Sequence, residues 1–355
     1  MVFKFILTQF YPRKMGTAIG ELTEKEIIDL DALENRLLGI DSFNILYQFL
    51  SNIRGQDGSP LTDAQGNITS HLTGLFYRTT NLLSRNIKPV FVFDGKPHAL
   101  KEKTREKRKA IRTEAEKKMK QEKEKGDLEE ARKFAQQTSR LSREMVEEAK
   151  QLVEFMGLPA IQAKSEGEAQ ISLMAEKGKL FGCVSQDYDA LLFGTPILLR
   201  NITVGGKRKV PGRNIYLDAL PEKISLQKTL EKNEIDRKKL VWIAILIGND
   251  FNEKFPKIGP KTALKLVKEN NSFEEIIKQA GFEPEFDFTE IEKIFLEPEY
   301  NEDFEIKFSS PDKEKVIELL YEKHQFSKER VQNMLEKLEK TLEEKGQQSS
   351  LGKWF

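Results

Sequence analysis

Short apolar runs of strand length alternate along this chain with stretches that are apolar at every third or fourth position. LLGIDSFNILYQFL (37–50) opens as an unbroken apolar strand and then takes up helical spacing. HLTGLFYRTTNLLSRN (71–86) keeps helical spacing throughout, and KPVFVFDG (88–95) reads as a short buried strand. In residues 126–157, the apolar positions Leu128, Ala131, Phe134, Leu141, Met145, Ala149 and Leu152 share one helical face, which predicts a single long amphipathic helix. KLFGCVSQDYDALLFG (179–194) and TPILLRN (195–201) are strand candidates, and RKKLVWIAILIGND (237–250) is a helix. Apolar strands separated by helices predict an α/β fold with a mostly parallel central sheet covered by helices on both faces. In such sheets ligands bind in the crevice outside the carboxyl ends of the strands.

Seven acids interrupt these apolar or small-residue settings: Asp41, Asp94, Glu166, Glu168, Asp187, Asp189 and Asp250. Asp41, Asp94 and Asp187 stand at predicted strand ends, where the crevice belongs. Glu166 and Glu168 are two apart, as are Asp187 and Asp189, and an extended segment turns such pairs to one side. Any one pair is explained well enough by solvated loop acids or by a helix cap, and Asp187 or Asp189 could cap the apolar run that follows. The whole set is harder to explain this way. Burying one carboxylate costs several kcal/mol, roughly, and seven close together need cations. Oxygen-only ligands suit magnesium or manganese and not zinc. Carboxylates in that number are what cutting a phosphodiester with two metal ions requires.

Overall charge adds little, because 58 Lys+Arg against 57 Asp+Glu leave a net +1. Its distribution says more. Residues 101–125 hold twelve Lys/Arg and six Glu, with Ala110, Ile111, Ala115 and Met119 as their apolar residues. Such a segment packs against little, and a solvated, salt-laced helix is the plain reading. Its place directly after Asp94 favours a loosely tethered basic arm that attracts a phosphate backbone. FPKIGPKTALKLVKEN (255–270) sets a Gly-Pro turn before a helix bearing Lys261, Lys265 and Lys268, where free N–H groups can meet a phosphate. TVGGKRKVPGR (203–213) reads as a basic hairpin turning at Gly205-Gly206, either touching DNA or simply solvated. The one cysteine, Cys183, excludes a disulfide framework and points to a reducing compartment. No apolar run reaches the roughly 18 residues of a membrane span. MVFKFILTQFYPRK (1–14) lacks the cleavage site of a signal peptide and is expected to be an extension ahead of a native start at Met15. At the other end Gln348, Leu351, Trp354 and Phe355 are spaced to present an apolar anchor to a partner's pocket, on a loose tail spanning 346–355.

MGTAIGEL (15–22), IDSFNILYQF, ITSHLTGLFYRT, VFVFDGKP, SEGEAQ, SQDYDALLFG, LIGNDF and KIGPKTALKL occur in this order, and together they resemble the flap endonucleases, structure-specific 5′-nucleases of the XPG family, most closely the archaeal ones. The resemblance runs from Met15 to Phe355. It implies a nuclease domain over 15–345, a helical arch over 96–140 that threads a single-stranded 5′ flap and orders on DNA, and a helix-turn-helix over 250–270. It implies two Mg2+, with Mn2+ as substitute: Asp41, Asp94 and Glu168, with Glu166, at one ion, and Asp187, Asp189 and Asp250 at the other. One ion would activate water and the other would stabilise the leaving 3′-oxygen. Lys101 and Arg108 would stabilise the scissile phosphate, and the nucleotide at the cut would stack on Tyr47. Arg78 and Arg200 match positions that touch the template strand. Arg54 and Thr69 lie where a 3′ flap would be held. Lys257, Gly259 and Lys261 would grip the downstream duplex, with a K+ ion. The QSSLGKWF ending is similar to a peptide that binds the replication sliding clamp (PCNA-type). The family's activity is flap cleavage with 5′-3′ exonuclease action in Okazaki-fragment maturation and repair, in archaeal cytoplasm at the nucleoid. A related exonuclease or junction nuclease, or a DNA-binding scaffold tethered to the clamp, are the alternatives. In this family the chain starts at the Met-Gly of the first motif, near the active site, so the fourteen residues before Met15 are a departure.

Overall fold

A computed structural model describes residues 17–55, 58–127, 130–131, 134–135, 138–203, 207–209, 216–282 and 284–351. The predicted extension 1–14, with Met15 and Gly16, lies outside the described residues, as do Trp354 and Phe355. Strands β1 (Lys25–Ile27), β2 (Leu37–Asp41), β3 (Lys88–Phe93), β4 (Ala160–Gln162), β5 (Gly182–Val184), β6 (Ile197–Arg200) and β9 (Glu222–Ser225) form one sheet in the order β1-β9-β6-β5-β2-β3-β4, and β7 (Lys207–Lys209) pairs with β8 (Tyr216–Asp218) apart from it. The five strands from β6 to β4 run parallel, and β9 and β1 add an antiparallel edge. The expected mostly parallel α/β sheet is what the chain forms.

The strand runs are continuously apolar because both faces are covered. In β3, Val90 and Val92 enter one core while Phe91 and Phe93 enter the other, as the two-residue pleat dictates. Helices α1 (Ser42–Asn52), α2 (Ser70–Ser84) and α4 (Arg143–Phe155) lie over the Phe91 face; α3 (Glu102–Glu124) leaves the sheet between them. The opposite core holds α5 (Gly167–Glu176), the short α6 (Asp189–Leu192), α8 (Arg237–Ile247), α9 (Pro260–Glu269), α10 (Phe273–Ala280) and α11 (Phe288–Leu296), with α7 (Leu226–Asn233) at its margin. Every residue of α8 from Leu240 to Ile247 is buried, which is why its sequence is apolar on all sides. Near the C-terminus α12 (Lys313–Ile317) runs into a π-helical turn and then α13 (Lys328–Leu351).

The order of the sheet fixes where a site can form. From β2 the chain moves outward through β3 to β4, then returns to place β5 on the other side of β2. β2 and β5 are therefore neighbours whose connections leave in opposite directions, and the crevice beyond their carboxyl ends is the topological switch point.

Several expectations are corrected. Residues 126–157 do not form one helix: the backbone is irregular over 139–142, and Ser142 caps a new helix by accepting from Met145 N at 3.2 Å. Serines there offer the backbone bonds that compete with helix continuation. In 179–194 only Gly182–Val184 is extended, and Asp189–Leu192 is helical. The basic hairpin exists, but Lys207 pairs with Asp218 and Lys209 with Tyr216, so it does not turn at Gly205-Gly206. The C-terminal helix continues through 346–351, where a loose tail was expected. The basic segment after Asp94 forms a 23-residue helix, α3. Pairs along it, Arg105 with Glu102 and Lys118 with Glu114, and the reach of Arg140 to Glu116 at 2.8 Å supply what its few apolar residues do not.

Candidate active site

The seven acids come from five places in the chain. Asp41 is the last residue of β2, and its carboxylate caps α1 by accepting from Asn44 N at 3.1 Å. Asp94 follows β3 and accepts from Gly167 N at 2.7 Å; a Cβ on Gly167 would stand 2.8 Å from Asp94 Oδ1, so this approach requires glycine. Glu166 and Glu168 sit at the N-cap and first turn of α5, and Asp189 opens α6, so neither pair lies on an extended segment. Helical ends deliver them to the crevice instead. Asp189 accepts from Thr17 N at 2.8 Å, which brings the start of the described chain against the site. Asp187 follows β5 by three residues, and Asp250 lies just beyond α8.

Their mutual electrostatics show that these groups share one volume. Burial, together with the charge of Glu166, raises Asp41 to about 6 against bonds from Asn44 and Ser185 that lower it. Burial, then Asp41 and Glu166, push Asp94 up to about 8. Burial and Asp250 raise Asp189 to about 6. Burial holds Glu168 and Asp187 well above the usual carboxylate range; Asp41 and Asp189 add to this at Glu168, and Asp189 and Asp41 at Asp187. The cations nearest them come from the start of the basic helix. Lys101 Nζ bonds Glu166 Oε2 and lies 3.8 Å from Asp250 Oδ2, and Arg108 Nη2 meets Asp250 Oδ1 at 2.6 Å. Burial works against the Lys101 charge, yet Glu166 and Asp250 raise its pKa. Lys107 reaches Glu253 beside them.

Among the described residues no three of these acids close around one point as a finished ligand set. Lys101, Arg108, Gly167 and Thr17 bond four of them, Glu166, Asp250, Asp94 and Asp189. The chemistry of the set nonetheless fits hard divalent ions: the donors are all oxygen, and Glu168 Oε1 is buried with no hydrogen-bond partner. A hollow of about 820 Å³ between α7 and α8, lined by Leu226, Leu230 and Ile235, contains none of the seven acids.

Residues 18–115 match the XPG N-terminal domain and residues 157–250 the XPG I-region. Over 342 residues, 96% of this chain and 99% of the relative, the sequence is 49% identical to flap endonuclease 1 of Thermococcus onnurineus. It is 46% identical to flap endonuclease 1 of Pyrococcus furiosus over the same shares of both chains, 96% and 99%. The chain belongs to the flap endonuclease 1 family. It is thus a structure-specific nuclease, a hydrolase. Flap endonuclease-1 from Methanococcus jannaschii, 40% identical, superposes with a TM-score of 0.74 over 93% of this chain and all of that one (100%). The catalytic core of Rad2 in complex with DNA substrate, 22% identical, shares the fold with a TM-score of 0.65 over 90% of this chain and 97% of that one.

The remaining residues that the flap endonuclease resemblance singled out differ in their surroundings. Tyr47 is half-buried on α1, six residues beyond Asp41, and Arg78 is half-buried on α2. Arg54 is engaged within the fold, donating to Ser51 O at 3.1 Å, Gly58 O at 3.0 Å and Ser139 Oγ at 2.7 Å. Thr69 is buried at the start of α2, its N–H on Leu61 O at 2.7 Å. Lys257, at φ +61°, and Lys261 are exposed on either side of Gly259, and a Cβ on Gly259 would meet nothing within 4 Å. That turn is open to an approaching backbone. Arg200 faces inward. Side chains from Gln348 onward lie outside the described residues.

Sequence reasoning missed Asn44 and Ser185. Asn44 donates from Nδ2 to Asp187 Oδ2 at 2.9 Å and accepts from Gln186 N at 3.0 Å, while its own N–H serves Asp41. Ser185 Oγ donates to Asp41 Oδ2 at 3.2 Å and accepts from Asp187 N at 3.2 Å. Both tie the β2 end to the β5 end. A buried Asn in an otherwise apolar helix face was the one available signal. Asn44→Ala is expected to weaken divalent-ion binding by about 10- to 100-fold, as loss of a group orienting a metal ligand does. Titration of the DNA-free protein with Mn2+ checks this, and unchanged affinity would refute it.

Proposed function

We propose that this chain cuts DNA where a single-stranded 5′ flap meets duplex, hydrolysing the phosphodiester with two Mg2+, for which Mn2+ substitutes, and acting also as a 5′-3′ exonuclease. The observation that carries the reading is the set of seven acids at the switch point, faced by Lys101 and Arg108 from one helix. Asp41, Asp94, Glu166 and Glu168 would hold one ion and Asp187, Asp189 and Asp250 the other. The chemistry such ions supply is activation of water and neutralisation of charge on phosphate oxygens. Lys101 and Arg108 orient and stabilise the scissile phosphate from the arch side, being long enough to exchange a carboxylate for a phosphate oxygen. Tyr47 supports the base beside the cut by stacking. Arg78 serves the template strand, and Arg54 and Thr69 shape the place of a 3′ flap. The open turn at Lys257, Gly259 and Lys261 holds the downstream duplex through amides and a K+ ion. The activity would serve replication and repair at the nucleoid.

The deciding experiment is cleavage of a labelled double-flap DNA with magnesium or with EDTA, using chains that begin at Met1 and at Met15. A metal-dependent cut one nucleotide into the duplex is expected, faster from Met15. No cutting by either chain would refute the proposal. Gln348, Leu351, Trp354 and Phe355 are proposed to bind a sliding clamp. Removing residues 348–355 is expected to leave cleavage of naked flaps intact and to abolish stimulation by the clamp. Stimulation that survives the deletion would exclude this partner.

A further inference from the structure

We infer that Arg200 is a positioning residue for Asp187 and does not serve as a phosphate contact. The inference rests on the reading of Asp187 as a metal ligand. Asp187 belongs to the segment 185–188 between the end of β5 and the start of α6, where no strand ladder or helix holds the backbone. Three side chains bond its backbone instead, Ser185 Oγ accepting from Asp187 N at 3.2 Å. Asn44 Oδ1 accepts from Gln186 N at 3.0 Å, and Arg200 Nε donates to Gln186 O at 3.2 Å. Both polar backbone groups of the residue preceding Asp187 are thereby fixed.

Arg200 also secures the residue that follows. Its Nη1 donates to Tyr188 Oη at 2.7 Å, and its guanidinium carbon lies 4.5 Å from the centre of the Tyr188 ring. That ring has no freedom to drift: Tyr188 is 5% exposed, and a Cβ on Gly20 would stand 2.6 Å from its hydroxyl oxygen. Asp187 thus sits between two neighbours that one planar side chain grips together. The charge of Arg200 is already answered. Glu222, its partner across the β6–β9 ladder, accepts from Nη1 at 2.8 Å, and the Arg200 side chain is 17% exposed. Nε and Nη1 are thus committed to a carbonyl, a phenol and a carboxylate, and the charge that a backbone phosphate would answer is already paired inside the fold. Lysine would keep the charge but lose the fork and the stacking plane.

The test uses Arg200→Lys and Tyr188→Phe in the full chain and reads two quantities. The first is Mn2+ affinity of the DNA-free protein by electron paramagnetic resonance. The second is the slope of log K against log salt for flap-DNA binding in EDTA. The expected result for Arg200→Lys is Mn2+ binding weaker by about ten-fold or more with an unchanged slope. Tyr188→Phe, which loses one hydroxyl, is expected to weaken Mn2+ binding by less and also to leave the slope alone. Arg200→Gln should match Arg200→Lys in metal affinity. Unchanged Mn2+ affinity in Arg200→Lys, or a slope in Arg200→Gln lower by about one phosphate, would overturn the inference. Either result leaves the two-ion reading standing. A wild-type protein that binds no Mn2+ would sink both.

Discussion

Asp187→Asn is expected to reduce flap cleavage by at least about 10³-fold while leaving flap-DNA affinity nearly unchanged, and to raise the melting temperature of the metal-free protein. The first effect follows from removing one anionic ligand of a unit whose members act together. The second follows from the environment of this carboxyl. Burial, Asp189 and Asp41 all work against its charge, so in the absence of ions Asp187 is a source of strain that an isosteric neutral amide relieves. The amide oxygen can still accept the bond from Asn44, so that buried donor keeps its partner. Thermal denaturation in EDTA reads the change, expected to be a few degrees at about 2–4 °C per kcal/mol. In Mg2+ the order reverses, because wild-type protein gains stability from ions that it binds and the variant does not. A variant that melts lower in EDTA, or that cuts at the wild-type rate, would refute this account of Asp187.

Lys101→Ala carries the second large effect. Single-turnover cleavage is expected to slow by about 10² to 10³, with flap-DNA binding weakened by less than about ten-fold. Lys101, at the N-cap of α3, is one base among the many of this segment, so its share of general attraction to DNA is small. Its position is singular: Nζ bonds Glu166, faces Asp250 at 3.8 Å, and lies 5.0 Å from the centre of the Phe251 ring. Arg108, on Asp250, should show the same separation of rate from binding. Equal loss of both quantities would mean that these two bases merely hold DNA. Arg105, exposed and paired with Glu102, is the control, because the same substitution there removes a base of α3 that touches none of the seven acids.

Much of this architecture was legible in local pattern. LLGID and VFVFD read as buried strands ending in acids because a strand covered on both faces must be apolar at every position, and the first polar residue marks its exit into the crevice. The ordered series of motifs carried the family. The weaker predictions failed where chemistry over two or three residues decides the outcome. The backbone leaves helical geometry over 139–142 and Ser142 caps a new helix, although the apolar spacing runs on across the break. Three-residue strands such as β1, exposed at every position, carry no apolar signal at all. The basic helix looked unable to order by itself because its apolar residues are few, and its ion pairs with Glu253 and Asp250 join segments more than a hundred residues apart.

The sequence by itself determined the buried strands that end at Asp41 and before Asp94, and the family to which the chain belongs. Such features depend on side chains within a few positions of one another, and on the order of motifs. Only the tertiary structure decided that β5 lies against β2. That adjacency brings Asn44 to Asp187 across 143 residues of chain. It also decided that Arg200 faces inward, since β9 places Glu222 directly opposite it. The neighbours of a strand are chosen by packing over the whole core, and no local pattern records that choice.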